Sequence, residues 1–325
     1  MLDYTIFYKT TLPIDTEWTK DNSWDIFISA YNSSDRVQKV FDKAKAKVKH
    51  WLILPDYEYD KNDYPSGKVF CPPHKHESEF VQEYVSESKV KDFANLKVCV
   101  DITGFIKPYM MYLLKWFMEQ GLNRLDVIFS EPADYAKKED TRFSNEVVSE
   151  VRQVAGFEGS HVTDVSNDVL ILGAGYDDVL ITEVAESKKN SKIIQLFGLP
   201  SLRSGMYQEN VLRANRAAES VGVGIDSQHN IYFAPANDPF VTASVLREIV
   251  EENSKKQITN LYICPLSTKA QALGFTIYYL TECRDKAISM IYPICESHSQ
   301  ETSKGVSRIW KYVVELPMDN RKNRG

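Results

Sequence analysis

Two lysines, Lys107 and Lys269, stand in matching surroundings, each behind an apolar strand-like run and a short polar turn and ahead of an apolar helix-like run. The first setting reads KVCVDITGFIKPYMMYLLKWF over 97–117 and the second NLYICPLSTKAQALGFTIYYL over 260–280. A strand, turn and helix in that order point the first helical N–H groups at whatever lies over the turn, an arrangement that favours an anion. A lysine beside those groups supplies a cation for phosphate. Asp101 offers an acceptor for a sugar hydroxyl, Thr103 a hydroxyl, and Gly104 a backbone that no side chain shields. Ser267, Thr268, Lys269 and Gln271 bring the same chemistry to the second turn. The plain alternative is that the hydroxyls cap helices and the lysines are solvated.

Other turns carry weaker signals. Gly173 and Gly175 form a GAG turn after a strand, but the third glycine of the dinucleotide fingerprint is missing. Asp177 and Asp178 follow it, suiting a helix start while repelling a pyrophosphate. Asp177, Glu186 and Lys188 fit the D…ExK spacing of metal-dependent nucleases only if a helical stretch is read as a strand. Arg203, after the strand at 192–197, has the forked head that clamps two phosphate oxygens. Asn237 and Asp238 in PANDP read first as turn and N-cap residues. Cys71, His74 and His76 in CPPHKH are zinc-ligand types, yet no fourth ligand stands at a familiar spacing, so no metal site is assigned. No GxxxxGK[ST] loop occurs, no Ser, His and Asp set assembles along the chain, and no cofactor is called for.

The elements that must position these groups alternate strand and helix. Strands are expected at 3–12, 24–31, 51–54, 97–101, 125–129, 168–172, 192–197, 230–234, 260–264, 287–292 and 308–317. Helices are expected between them, among them 35–48, 79–93, 178–188 and 207–221. Such alternation argues for an α/β fold of Rossmann-like parallel sheets covered by helices, with antiparallel edge strands near the termini, the first and last pairing with each other. The composition turns polar over 130–165, which places a soft boundary between an N-terminal Rossmann-like half, 1–150, and a C-terminal one, 151–325. The tail RKNRG is basic and expected to fray. In open parallel sheets ligands bind beyond the carboxyl ends of the strands, where all the turns above fall.

Composition narrows the classes. A chain of 325 residues with 43% hydrophobic and 26% charged residues can bury a sizeable core. A formal net charge of −6 argues against binding duplex nucleic acid, which needs a positive surface. Five cysteines, an odd number, argue against a disulfide framework and for a reducing, cytoplasmic setting. No leader-like segment and no run of about 18 apolar residues is present, so no membrane partner is expected.

The turn DITGFIKPYM resembles the strand-end motif of CRISPR-associated Rossmann-fold ligand-sensing domains. Asp101, Thr103, Gly104 and Lys107 match that motif, whereas Phe105 and Ile106 replace its second glycine and second threonine. STKAQALGF looks like a degraded copy. The resemblance covers about 20 residues of each half and implies cyclic oligonucleotide binding in antiviral defence, although no attached nuclease domain accompanies it. WDIFISAYNSSD at 24–35 is similar to the first strand and loop of TIR domains, some of which cleave NAD; Glu79 is the nominal counterpart of their catalytic glutamate. The expectation is a nucleotide-sensing or regulatory protein of bacterial defence, with a protein partner or as a homo-oligomer. The alternatives are a hydrolase acting on NAD or nucleotides, and a non-catalytic subunit of a larger complex.

Overall fold

The computed structural model describes residues 3–135, 147–175, 177–203, 206–209, 211–212, 230–254, 257–299 and 303–317. The expected helix beyond Leu212 and the tail 321–325 lie outside these residues. The chain divides into two compact units. The N-terminal unit comprises Phe7–Phe143 and Ser297–Gly325, and the C-terminal unit Ser144–Glu296 and Met1–Ile6. Both are α/β units with mostly parallel sheets flanked by helices.

In the N-terminal unit the elements are β1 (Lys9–Leu12), β2 (Ser23–Ala30), α1 (Asp35–Lys43), β3 (Lys45–Leu52), β4 (Lys68–Phe70), α2 (Glu77–Ser88), β5 (Val98–Asp101), α3 (Lys107–Glu119), β6 (Arg124–Tyr135) and β13 (Ser303–Glu315). The sheet runs β1-β13-β6-β5-β2-β3-β4. Strands β2 to β6 are parallel, while β13 lies antiparallel on β6 and β1 antiparallel on β13. Counted in chain order, the parallel strands stand third, second, first, fourth, fifth, the order of a Rossmann half. The first and last strands pair as the alternation of RIWKYVVELP suggests.

Helix α1 ends earlier than expected and β3 begins earlier, at Lys45. The reason is the period-two pattern Lys45, Lys47, Lys49 against Ala46, Val48, His50, which a strand sorts between its faces and a helix does not. Phe41 of α1 then stacks on Trp51 at a centroid distance of 3.6 Å. Around them Trp18, Trp24, Phe27, Val37 and Val40 form a buried core under α1. The segment 55–77, where the sequence predicts no strand, contains β4, whose three residues close the far edge of the sheet.

The C-terminal unit is built from β7 (Val148–Gln153), β8 (Val169–Gly173), α4 (Asp178–Ser187), β9 (Lys192–Gly198), β10 (Ile231–Ala234), α5 (Pro239–Ser254), β11 (Leu261–Pro265), α6 (Lys269–Tyr278) and β12 (Ile288–Cys295). Its sheet order is β10-β9-β8-β11-β12-β7. The parallel strands β8 to β12 again stand third, second, first, fourth, fifth, and β7 caps β12 in the antiparallel sense. All five residues of β8 and of β11 are buried, as strands covered on both faces must be. Among the described residues no helix is long and apolar enough to cross a membrane.

Candidate functional site

Each sheet reverses its strand order between its first and fourth strands, β2 and β5 in one unit and β8 and β11 in the other. Such a switch point opens a crevice at the carboxyl ends of the strands, where ligands of this fold class bind. The residues singled out by sequence sort onto these two places. Asp101, Thr103, Gly104 and Lys107 follow β5, Gly173, Gly175 and Asp177 follow β8 or end it, and Ser267, Thr268, Lys269 and Gln271 follow β11. Arg203 lies exposed in the segment after β9. Lys107 and Lys269 are each the first residue of their helices, α3 and α6, at equivalent positions of the two units.

In the N-terminal unit the turn folds inward. Asp101 is fully buried, and its carboxylate accepts from Thr103 N at 3.0 Å and from Ser29 Oγ at 3.0 Å. Burial pushes its pKa up, opposed by those two bonds and by the charge of Arg36. Thr103 Oγ1 accepts from Ser130 N at 3.0 Å, and the carbonyl of Gly104 accepts from Tyr57 Oη at 2.9 Å. A Cβ on Gly104 would fall 1.8 Å from the carbonyl oxygen of Ala30, so the β5 turn rests directly on the end of β2. Arg36, in the first turn of α1, reaches past the crevice to donate from Nη1 to the Ser130 carbonyl. Both oxygens of Asp101 are therefore engaged within the fold, and the sugar-binding part expected of this carboxylate would require its release.

The crevice of the C-terminal unit is organised differently. Thr268 is the N-cap of α6, with Oγ1 accepting from Gln271 N at 3.2 Å and donating to the Ala236 carbonyl. Gln271 donates from Nε2 to the Ala234 carbonyl at 3.1 Å, which fixes its amide orientation and leaves Oε1 as the free-standing end. Gln271 is 0% and Ser267 9% exposed, and neither Gln271 Oε1 nor Ser267 Oγ has a hydrogen-bond partner. Buried polar atoms in native proteins are nearly always paired, so two orphans on one turn mark a place where a partner is missing. They face the ends of the neighbouring strands. A Cβ on Gly173 would lie 3.3 Å from Ser267 Oγ, and one on Gly198 3.4 Å from Gln271 Oε1. Gly175 closes the seam, since a Cβ there would stand 2.3 Å from the Leu266 carbonyl oxygen. Asp177 caps α4 by accepting from Leu180 N at 3.3 Å.

Sequence reading missed three groups. Arg36 was hidden in a helix-capping stretch, although a cation in a first helical turn opposes the dipole and signals another engagement. Gly198 ends β9 as Gly173 ends β8, a parallel visible only once the strands are aligned. The third group gathers at the opposite, amino ends of the C-terminal strands. There Ser289 Oγ donates to His161 Nε2, and His161 Nδ1 donates to Asn260 Oδ1 at 3.0 Å. This serine, histidine and amide order looks catalytic but is occupied. Ser289 is fully buried, and its oxygen already accepts from Gln153 Nε2 at 2.9 Å and from Gly159 N at 2.8 Å. With both lone pairs engaged it fastens the segment before β8 to β12 instead of attacking a substrate.

Glu79 and Asp178, also singled out by sequence, lie on α2 and α4. Glu79 pairs with His74 Nδ1 at 3.3 Å, while Glu83 takes the other ring nitrogen at 2.6 Å. Asp178 is the first residue of α4. Among the described residues no group of three or more His, Cys, Asp or Glu side chains is disposed to hold a metal. No protein-family model matches the sequence, and comparison with curated proteins finds no significant match.

Proposed function

We propose that the protein binds a phosphate-bearing nucleotide at the strand ends of its C-terminal unit and acts as a sensor or regulator, signalling occupancy to a protein partner. The observation that carries this reading is the coincidence, on one turn, of the α6 N-terminus, its leading Lys269 and two buried polar atoms without partners. A helix N-terminus supplies oriented N–H groups and partial positive charge for phosphate. The unpaired Ser267 and Gln271 oxygens supply hydrogen-bonding capacity for the rest of the ligand. Lys107 opens α3 in the matching place of the N-terminal unit, where the turn is taken up by internal hydrogen bonds. The setting in bacterial antiviral defence rests on the resemblance of the two turns to ligand-sensing domains of that system.

The test is calorimetric titration with nucleoside mono-, di- and triphosphates and cyclic dinucleotides, preceded by mass spectrometry of small molecules released from the purified protein. The expected result is a nucleotide that binds the wild type and Lys107→Ala alike and binds Lys269→Ala at least tenfold more weakly, a loss of about 1.4 kcal/mol. Unchanged affinity in Lys269→Ala would overturn the reading.

A further inference from the structure

The reading above leaves open which part of the ligand meets which part of the crevice, and Gln271 decides it. One N–H of its Nε2 is committed to the Ala234 carbonyl, which turns Oε1 toward the end of β9, and Oε1 is an acceptor only. Phosphate oxygens at neutral pH are acceptors as well, and two acceptors do not pair. Ser267 Oγ, by contrast, can donate or accept, and it stands one residue before the N-cap of α6.

We infer that the group seated against Gln271 is a hydrogen-bond donor of the ligand, a sugar hydroxyl or a base amino group, and that Gln271 selects for it while the phosphate lies at the first turn of α6. The inference rests on the nucleotide reading and deepens it. A buried acceptor that gains a donor only when the ligand is bound rejects analogues lacking that donor, since the analogue leaves the acceptor unpaired. The carbonyl of Ala234 also accepts from Leu199 N at 2.9 Å, so removing the Gln271 amide does not strand it. Gln271→Met, close in size and without an acceptor, is therefore an informative variant.

AMP and GMP serve as probes, compared with their 2′,3′-dideoxy forms, which lack the sugar hydroxyls, and with purine riboside monophosphate and IMP, which lack the amino group. For the wild type, one of the two deletions is expected to weaken binding roughly ten- to a hundredfold, which tells hydroxyl from amine. In Gln271→Met that gap should close, while the unliganded variant melts at or above the wild-type temperature because a buried orphan has gone. A side-chain amide resonance of Gln271 that moves on adding AMP or GMP to the wild type is an independent readout, needing no variant to fold. Nucleotide binding that ignores both deletions, or a gap that persists in Gln271→Met, would overturn the donor assignment alone. Failure of every nucleotide and of inorganic phosphate to bind would overturn the nucleotide reading beneath it.

Discussion

Between β2 and β5, Asp101 gives both carboxylate oxygens to Thr103 and Ser29, and Arg36 spans the gap to the Ser130 carbonyl. At the strand ends of the C-terminal unit, in a sheet of the same order, Ser267 Oγ beside the end of β8 and Gln271 Oε1 beside the end of β9 are buried with nothing to bond. On the first turn the carboxylate of Asp101 is engaged by the protein's own groups, and on the second two buried oxygens are not. The two turns keep a lysine at the same helical position, so position alone does not separate a binding turn from a structural one. What separates them is hydrogen-bond accounting, because a satisfied buried group holds the fold together and an unsatisfied one costs stability until a partner arrives.

The sharpest way to break the comparison is to disturb the contact that closes each crevice. Gly104→Ala would drive a Cβ to 1.8 Å from the Ala30 carbonyl oxygen, and Gly175→Ala to 2.3 Å from that of Leu266. Both neighbours are backbone and cannot rotate away. We expect Gly104→Ala to lose about 3 kcal/mol or more and Gly175→Ala about 2 kcal/mol, measured by urea denaturation. The five tryptophans, at 18, 24, 51, 116 and 310, all belong to the N-terminal unit. Tryptophan fluorescence should therefore follow the Gly104→Ala defect and be blind to the Gly175→Ala defect, which circular dichroism alone would register. Equal effects in fluorescence would mean that the units do not unfold separately.

A second difference is acid sensitivity. In the N-terminal unit His50 is fully buried, its Nδ1 bonded to Tyr84 Oη at 2.9 Å and its Nε2 without a partner. Burial, assisted by the charge of Lys68, lowers its pKa from 6.5 to about 4. Between those values the unfolded chain binds a proton that the folded chain refuses. The contribution is thus fully present above the unfolded pKa and is lost as pH falls toward 4, amounting to at most about 3 kcal/mol. Fluorescence-detected urea midpoints should fall steadily from pH 7 to pH 4.5. Replacing His50 and Tyr84 together by Phe removes both partners at once and should flatten that part of the profile; a slope that persists would place the titrating group elsewhere.

How much of this was legible beforehand depends on the range of the interaction. The strand and helix alternation, the pairing of the terminal strands and the placing of Lys107 and Lys269 at helix starts follow from local period and composition. Strand β3 begins six residues before the expected 51 because Lys45, Lys47 and Lys49 alternate with only moderately apolar partners, and the three residues of β4 are too few to show a period. The state of the crevices was not legible at all. Whether Asp101 meets a sugar or Ser29 depends on a residue 72 positions away. The orphaned oxygens of Ser267 and Gln271 are defined by what fails to approach them, which no pattern of residue types records. Arg36 and the group of His161, Asn260 and Ser289 likewise join segments that only the fold brings together.

The smallest effect probes that distinction most directly. If Asp101 is structural, its carboxylate needs only to accept from Thr103 N and to meet Ser29 Oγ, and an asparagine does both by accepting through Oδ1 and donating to the serine oxygen. Because burial raises the Asp101 pKa, the folded protein holds this proton more tightly than the unfolded chain, and stability drains away as pH rises from the unfolded pKa through the folded one. Asp101→Asn removes that drain. It should leave stability at pH 7 unchanged or raise it by less than about 1 kcal/mol, and it should leave nucleotide affinity untouched. A clear loss of affinity with stability intact would return Asp101 to the ligand, and with it the N-terminal crevice to the role assigned here to Gln271 and Ser267.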